Sequence, residues 1–173
     1  MRPAELFQFC PRCGAARPAE NAGRTPFECA SCGLTYFFGP TVAAAAWVFD
    51  PEGRALLLRR AKEPAKGKLA IPGGFVDAGE TAEGALRREV REEVGLEIGR
   101  VAFLTSYPNL YPYKGVTYPV VDLVFTAEAA DPAAARPLDG VAGLLEWRRP
   151  ADVDAAELAF PSLRESLGLL KSI

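Results

Sequence analysis

With 173 residues, 49% of them hydrophobic, the chain is long enough for one well-filled core but short for two full-sized domains, so one main domain with a small appendage is expected. Its 20 basic and 22 acidic residues are interspersed to a net charge of -2, which advertises no nucleic-acid footprint. Met1 to Glu5 lacks the basic start of a signal peptide, and no apolar run approaches the roughly 20 residues that cross a bilayer, so a soluble, cytoplasmic protein is expected. There is no histidine, so chemistry must come from carboxylates, Cys, Lys, Tyr, Ser or a bound metal.

Residues 1 to about 38 are rich in Cys, Gly, Pro and Arg and show no sustained period of 2 or 3.6, so they cannot build a hydrophobic core unaided. From Thr41 the character changes. Thr41 to Asp50 and Ala55 to Arg60 read as strands joined by the turn sequence Asp50-Pro51-Glu52-Gly53, a hairpin. A polar loop from Glu63 to Lys68 leads to Leu69-Ala70-Ile71-Pro72-Gly73-Gly74. Thr81 to Val94 reads as a helix, with Thr81 as N-cap, Gly95 as C-cap, and Ala82, Ala85, Leu86, Val90 and Val94 on one apolar stripe. Val101 to Ser106 and Val116 to Glu128 read as strands, with the aromatic segment Tyr107 to Tyr118 as a loop running into the second. Ala129 to Pro137 reads as a loop, Leu144 to Arg148 as a short strand, and Ser162 to Lys171 as a closing helix with Pro161 just ahead of it. This order predicts a mixed α/β layered domain. The expected division is residues 1–38 as an appendage and 39–173 as the main domain.

All four cysteines lie in the appendage, as Cys10-Pro11-Arg12-Cys13 and Cys29-Ala30-Ser31-Cys32, each pair followed by Gly (Gly14, Gly33). Two thiolates three positions apart on a tight knuckle reach one ion, and Gly lets the backbone turn its N–H groups toward the sulfurs. Four thiolates at about 2.3 Å complete a tetrahedron with no open position, the arrangement of a structural zinc. The alternatives are two disulfides, which a chain without a signal peptide disfavours, or four free thiols, which would rarely fall into this spacing. A zinc ribbon over residues 1–38 is therefore expected, with metal binding supplying most of its folding free energy.

Glu89, Glu92 and Glu93 stand at i, i+3 and i+4 of the predicted helix, so their carboxylates converge on one face. Arg88 and Arg91 relieve the repulsion only in part, and a hard divalent cation, Mg²⁺ or Mn²⁺, is a natural resolution. Gly73 and Gly74 permit close approach of backbone to a ligand, and a carbonyl from that loop, such as that of Gly74, could join the carboxylates. An ion pair between Glu80 and Arg88 would tie the loop to the helix. The bland alternative is a solvated, glutamate-rich helix face.

The string G-x5-E-x7-R-E-U-x-E-E-x-G-U, with U aliphatic, is the signature of the Nudix hydrolases, and Gly74 to Leu96 matches it at every specified position. The approach through Ile71-Pro72-Gly73-Gly74 and the late pair Glu146-Trp147 also resemble that family, so the resemblance spans about residues 41 to 171. It implies an α/β/α sandwich and hydrolysis of a nucleoside diphosphate linked to another moiety. By the same resemblance Glu89, Glu92 and Glu93 would hold the catalytic metal ions, supported by Glu80 and Arg88. The base would be a box carboxylate such as Glu89, or Asp139 or Glu146 from later in the chain.

A zinc ribbon ahead of such a domain resembles the NADH pyrophosphatase subgroup, which carries S-Q-P-W-P-F-P-x-S after the box. Ser106, Pro108, Tyr111 and Pro112 match it, while Tyr107, Asn109, Leu110 and Lys114 replace Gln, Trp, Pro and Ser. Tyr107, Tyr111, Tyr113 and Lys114 are the expected substrate contacts, the rings stacking on a purine or nicotinamide and the lysine meeting a phosphate. NAD(H)-like dinucleotides or ADP-ribose head the expected substrates. A catalytically silent ligand-sensing or nucleic-acid-associated module is the competing reading, against which the retained Glu89, Glu92 and Glu93 count. Nucleic acid is not an expected partner, and the ribbon is expected to pack on the main domain or to form part of a homodimer interface.

Overall fold

A computed structural model describes residues 1–138 and 142–172, so Asp139 lies outside the described residues. The chain divides into two compact units. One is Met1–Thr41 with Leu110–Pro119, and the other is Val42–Asn109 with Val120–Ile173.

The first unit has little regular structure, as its composition predicts. Helix α1 (Pro3–Leu6) is a single turn, and β1 (Phe27–Glu28) pairs antiparallel with β2 (Thr35–Tyr36) in the register Phe27↔Tyr36. Its core is small: Phe27, Cys10 and Cys29 are buried, and Phe7 packs edge-on against Phe27 and Phe38. Arg17 works as an internal strut. Its guanidinium donates to the carbonyls of Ala4 (2.9 Å) and Arg24 (2.7 Å) and lies 5.1 Å from the centre of the Phe27 ring.

The second unit is built on a mixed sheet of β3 (Thr41–Phe49), β4 (Ala55–Arg60), β5 (Leu69–Ala70), β6 (Gly73–Phe75), β7 (Ile98–Tyr113), β8 (Val116–Ala129) and β9 (Ala142–Arg148). The order is β5-β4-β3-β8-β7, with β6 paired to β3 and β9 to β4. Helices α2 (Ala82–Val94) and α3 (Pro161–Ser172) complete it. Successive residues of a strand point to opposite faces, yet Ala46, Trp47 and Val48 on β3, and Leu56, Leu57 and Leu58 on β4, are all essentially fully buried. Both faces of the sheet are therefore covered, as in an α/β/α sandwich. Leu86 and Val90 of α2 and Leu163 and Leu167 of α3 enter the same core, and Trp47 Nε1 donates to the buried Ser166 hydroxyl at 3.0 Å.

The principal departure from expectation lies at Tyr107 to Tyr118, which is a hairpin rather than a loop: β7 runs on to Tyr113 and β8 begins at Val116. The connection is Lys114-Gly115 with φ of 46° and 81°, the positive pair that a two-residue hairpin turn requires. Pro108 and Pro112 are accommodated because β7 ends the sheet order, and prolines spaced by four turn their missing donors to the same side. On an edge strand that side needs no partner. The hairpin tip, Leu110–Pro119, belongs to the first unit, where the Thr117 N–H donates to the Met1 carbonyl at 2.7 Å.

At the β3–β4 turn, Asp50 is buried and takes two bonds from Arg54, backbone N–H at 2.8 Å and Nε at 2.6 Å. Burial pushes its pKa up, but these donors outweigh it and hold the carboxyl below its ordinary value. A depressed carboxylate contributes stability that is present near neutrality and lost as pH falls through the folded pKa. Because Arg54 is 45% exposed, Asp50→Asn is expected to cost only about 1 kcal/mol. Thermal unfolding of both proteins from neutrality into acid should show the difference largest near neutrality and closing as Asp50 protonates.

Candidate active site and cysteine cluster

Helix α2 begins and ends where its sequence directs. The Thr81 hydroxyl accepts the Gly84 N–H at 3.0 Å, and Gly95, with φ 68°, donates to the Arg91 carbonyl. Ala85, Leu86, Val90 and Val94 are buried, which fixes the rotation of the helix and turns the neighbouring carboxylates toward the loop of Gly73–Phe75.

Arg88 organises that face. Nε and one Nη donate to the two oxygens of Glu80, both at 2.9 Å, a bidentate pair. The other Nη donates to Glu89 at 2.7 Å and to Glu92 at 3.3 Å, and the Phe75 carbonyl accepts a further bond at 3.1 Å. Glu80 and Glu89 hydrogen bonds push the Arg88 pKa up, and Arg88 in turn holds Glu80 below its usual range.

Glu93 is treated differently. It is 8% exposed and accepts the Gly73 N–H at 3.0 Å. Burial, aided by the charges of Glu89 and Glu92, pushes its pKa up to about 7 against the opposing Gly73 bond and Arg60 charge. Gly74 sits against Glu89: a Cβ there would lie 2.5 and 2.7 Å from its two carboxylate oxygens. The loop thus approaches the helix as closely as glycine allows.

Among the described residues, the group of potential metal ligands with donor atoms all within 4.8 Å of one another is not on α2 but in the first unit: Cys10, Cys13, Cys29 and Cys32. The sulfurs of Cys10 and Cys32, and of Cys13 and Cys29, are 3.7 Å apart. Disulfides are far shorter, about 2.05 Å, whereas sulfurs at the corners of a tetrahedron with 2.3 Å metal–sulfur bonds are separated by about 3.8 Å. Two like knuckles present them. Gly14 and Gly33, with φ 75° and 68°, donate to the carbonyls of Cys10 and Cys29, each at 2.9 Å. The Cys32 N–H lowers the Cys29 pKa to about 7, while Cys13, despite the Ala15 N–H, is pushed up to about 12 by the sulfurs around it. Four thiols so close cannot all ionise without a cation, and the four together could hold a metal ion.

The other sequence candidates are dispersed. Tyr107 lies on β7 within the second unit, whereas Tyr111, Tyr113 and Lys114 lie on the hairpin tip, their rings 6.5 Å apart and Lys114 Nζ 5.1 Å from the centre of Tyr113. Glu146, on β9 opposite Leu57, takes Arg59 on one oxygen at 2.9 Å and Arg148 on the other. Although burial acts to raise its pKa, the two arginines hold it below the usual range. Sequence reasoning missed this network and that of Asp122, which accepts from Asn109 at 2.9 Å and from Ser162. Neither has a fixed spacing to announce it, because each joins separate strands or a strand and a helix.

The layered α/β fold with this glycine loop and glutamate helix places the chain in a known family of domains. The NUDIX domain profile matches residues 39–167, and the chain belongs to the Nudix family. It is 36% identical over 164 residues to the NAD-capped RNA hydrolase NudC of Chromobacterium violaceum, covering 89% of this chain and 56% of that protein. It is 38% identical over 128 residues to NudC of Deinococcus radiodurans, covering 71% of this chain and 42% of that one. The chain thus spans about half the length of these curated relatives. A NUDIX hydrolase structure from Nitrosomonas europaea superposes with a TM-score of 0.71 at 22% identity, covering 96% of this chain and 92% of that one. The NUDIX domain of Shewanella oneidensis NrtR, solved in complex with ADP ribose, gives 0.64 at 22% identity over 79% of this chain and 91% of that one. These two likenesses bear on fold alone. Among the described residues no helix is long and apolar enough to cross a membrane.

The contact between Gly74 and Glu89 is open to a double-mutant cycle. Gly74→Ala is expected to cost about 1 kcal/mol of stability, because the flexible end of Glu89 must swing away from its place beside Arg88. In a Glu89→Ala background the same substitution should cost little, a coupling of about 1 kcal/mol in denaturant unfolding.

Proposed function

We propose that the chain hydrolyses the diphosphate linkage of a nucleoside diphosphate derivative, foremost a dinucleotide of the NAD(H) or ADP-ribose type. The observation that carries this reading is the approach of Glu89 and Glu93 to the Gly73–Gly74 loop, with Arg88 bonded to both Glu89 and Glu92. The donor set fits Mg²⁺ or Mn²⁺: hard carboxylate oxygens, one of them on a glutamate whose burial and like-charged neighbours leave it short of a cation near neutrality. Bound there by Glu89, Glu92 and Glu93, with the Gly74 carbonyl as a further oxygen, such an ion would neutralise phosphate oxygens and acidify the attacking water. Arg88 and Glu80 hold the carboxylates in register. Of the carboxylates weighed as base, Glu146 has both oxygens on arginines, whereas among the described residues Arg88 holds only one oxygen of Glu89.

The NudC relatives are named for hydrolysis of NAD-capped RNA, which is the same linkage in a dinucleotide joined to RNA. A capped RNA therefore belongs beside NADH, NAD⁺ and ADP-ribose in a substrate screen, although composition alone argued against a nucleic-acid partner. Tyr107, Tyr111, Tyr113 and Lys114 are the proposed base and phosphate contacts. We assign Zn²⁺ to the four cysteines as a structural ion of residues 1–38, since their spacing and sulfur distances suit it and leave no open position. Unpaired thiols accord with a cytoplasmic protein, and a homodimer is the assembly we propose.

Purified protein with Mg²⁺ or Mn²⁺ should cleave one of these substrates at the diphosphate, with products resolved by chromatography. Glu92→Gln should abolish turnover while the fold and zinc content persist; turnover retained in Mg²⁺ would remove the metal assignment. Cys13→Ser should lower zinc from one ion per chain toward none and expose residues 1–38 first to proteolysis. An unchanged zinc stoichiometry would overturn the four-cysteine site.

A further inference from the structure

Within the first unit, two elements each lack the burial to stand alone. Residues 1–41 gather a core cluster of only Phe27, Cys10 and Cys29. The hairpin tip, Leu110–Pro119, is two strand ends and the Lys114-Gly115 turn, and a hairpin by itself is at best marginally stable in water. The two are joined through the main chain. The Met1 amino group donates to the Gly115 carbonyl at 3.4 Å, and the Met1 carbonyl accepts the Thr117 N–H at 2.7 Å, so Met1 holds the tip on both sides of Val116.

A continuous set of bonds leads from Met1 back to the cysteines. Two residues on begins α1, whose Ala4 carbonyl accepts one Nη of Arg17 at 2.9 Å. The Arg17 N–H donates to the Gln8 carbonyl at 2.7 Å, Phe9 pairs antiparallel with Ala16, and the Cys10 N–H donates to the Ala15 carbonyl at 2.8 Å. Cys10 and Cys13 thus sit in the turn of a short ladder whose open end is Arg17. The other Nη of Arg17 donates to the Arg24 carbonyl at 2.7 Å, and the guanidinium lies over Phe27 of β1, two residues before Cys29. Arg17 therefore touches α1, the ladder of the first knuckle and the strand that leads into the second. The knuckles themselves face each other through sulfurs 3.7 Å apart that no disulfide joins, and an ion bound to all four would tie them together.

We propose that metal occupancy of Cys10, Cys13, Cys29 and Cys32 sets the order of the hairpin tip, with Arg17 as the positioning residue between them. Coupling of this kind runs through bonded networks whose ends share an ordered and a loosened state. The tip carries Tyr111, Tyr113 and Lys114, so the cysteine cluster governs how those side chains are presented. That consequence rests on the diphosphatase reading above, whereas the ordering of the tip does not.

Amide hydrogen exchange read by mass spectrometry tests the proposal on three samples. They are zinc-loaded wild type, the same protein stripped with a zinc-selective chelator, and Arg17→Met, which keeps an apolar stem over Phe27 and removes both guanidinium donors. Stripping is expected to speed exchange across residues 110–119 by about tenfold or more while Leu56, Leu57 and Leu58 of β4 stay protected. Zinc-bound Arg17→Met is expected to speed it in the same segment by about threefold or more. Unchanged protection of the tip on stripping overturns the proposal, as does a rise shared equally by β4, which is global unfolding. Unchanged protection in zinc-bound Arg17→Met overturns the role of Arg17. Where that variant loses zinc or does not fold, Arg17→Lys, which lacks the planar fork, replaces it. With a substrate from the screen, zinc-bound Arg17→Met should raise KM by about threefold or more and leave kcat within about twofold. A loosened tip with unchanged KM overturns the consequence for substrate. If wild type turns over no substrate, the diphosphatase reading fails on its own account, and exchange still decides the tip.

Discussion

The arrangement of the candidate active site depends on one guanidinium. Arg88 lies on α2 between a loop carboxylate, Glu80, and the helix carboxylates Glu89 and Glu92, with a strand carbonyl, that of Phe75, at its far side. These three mutually repelling acids would otherwise splay into solvent. A planar cation with five donors in fixed directions can face several acceptors at once, which an ammonium on a flexible stem cannot. Arg88 is itself only 27% exposed, so these contacts act in a less screened medium than surface pairs do.

The glycines answer a complementary steric constraint. Once Arg88 draws Glu89 toward the loop, the space over Gly74 is filled by the Glu89 carboxylate, and any Cβ there would displace it. Gly73, with φ 151°, has backbone of Ala44 and Ala45 where a side chain would stand, and its N–H is thereby aimed at Glu93. Glu93 then combines burial with a single neutral donor, which is why its proton affinity rises while Glu80, bound to a cation, loses its own. Two chemically identical side chains on one site diverge because one lies against apolar core and the other against an arginine.

The first unit applies a different solution to the same shortage of burial. Phe27, Cys10 and Cys29 make a core too small to hold some forty residues, and the two glycine-closed knuckles set four sulfurs at tetrahedral spacing instead. Arg17 reinforces it from inside by satisfying carbonyls that regular secondary structure would otherwise have paired.

How much of this was legible beforehand follows from the range of each interaction. Thr81, Gly95, the 89/92/93 spacing and the two cysteine knuckles all act within one or two turns of their own backbone, so the sequence by itself determined helix α2, its caps, the Nudix signature and the four-sulfur cluster. The hairpin over residues 107–118 was not legible because the tolerance of Pro108 and Pro112 within it depends on β7 being an edge strand, a property of sheet order and not of local backbone. The occupation of both Glu146 oxygens by Arg59 and Arg148, the burial that raises Glu93, and the docking of Met1 beside the hairpin tip were decided only by the tertiary structure. Each joins segments whose separation in sequence obeys no period, and burial, the quantity that sets their chemistry, exists only once the layers have closed.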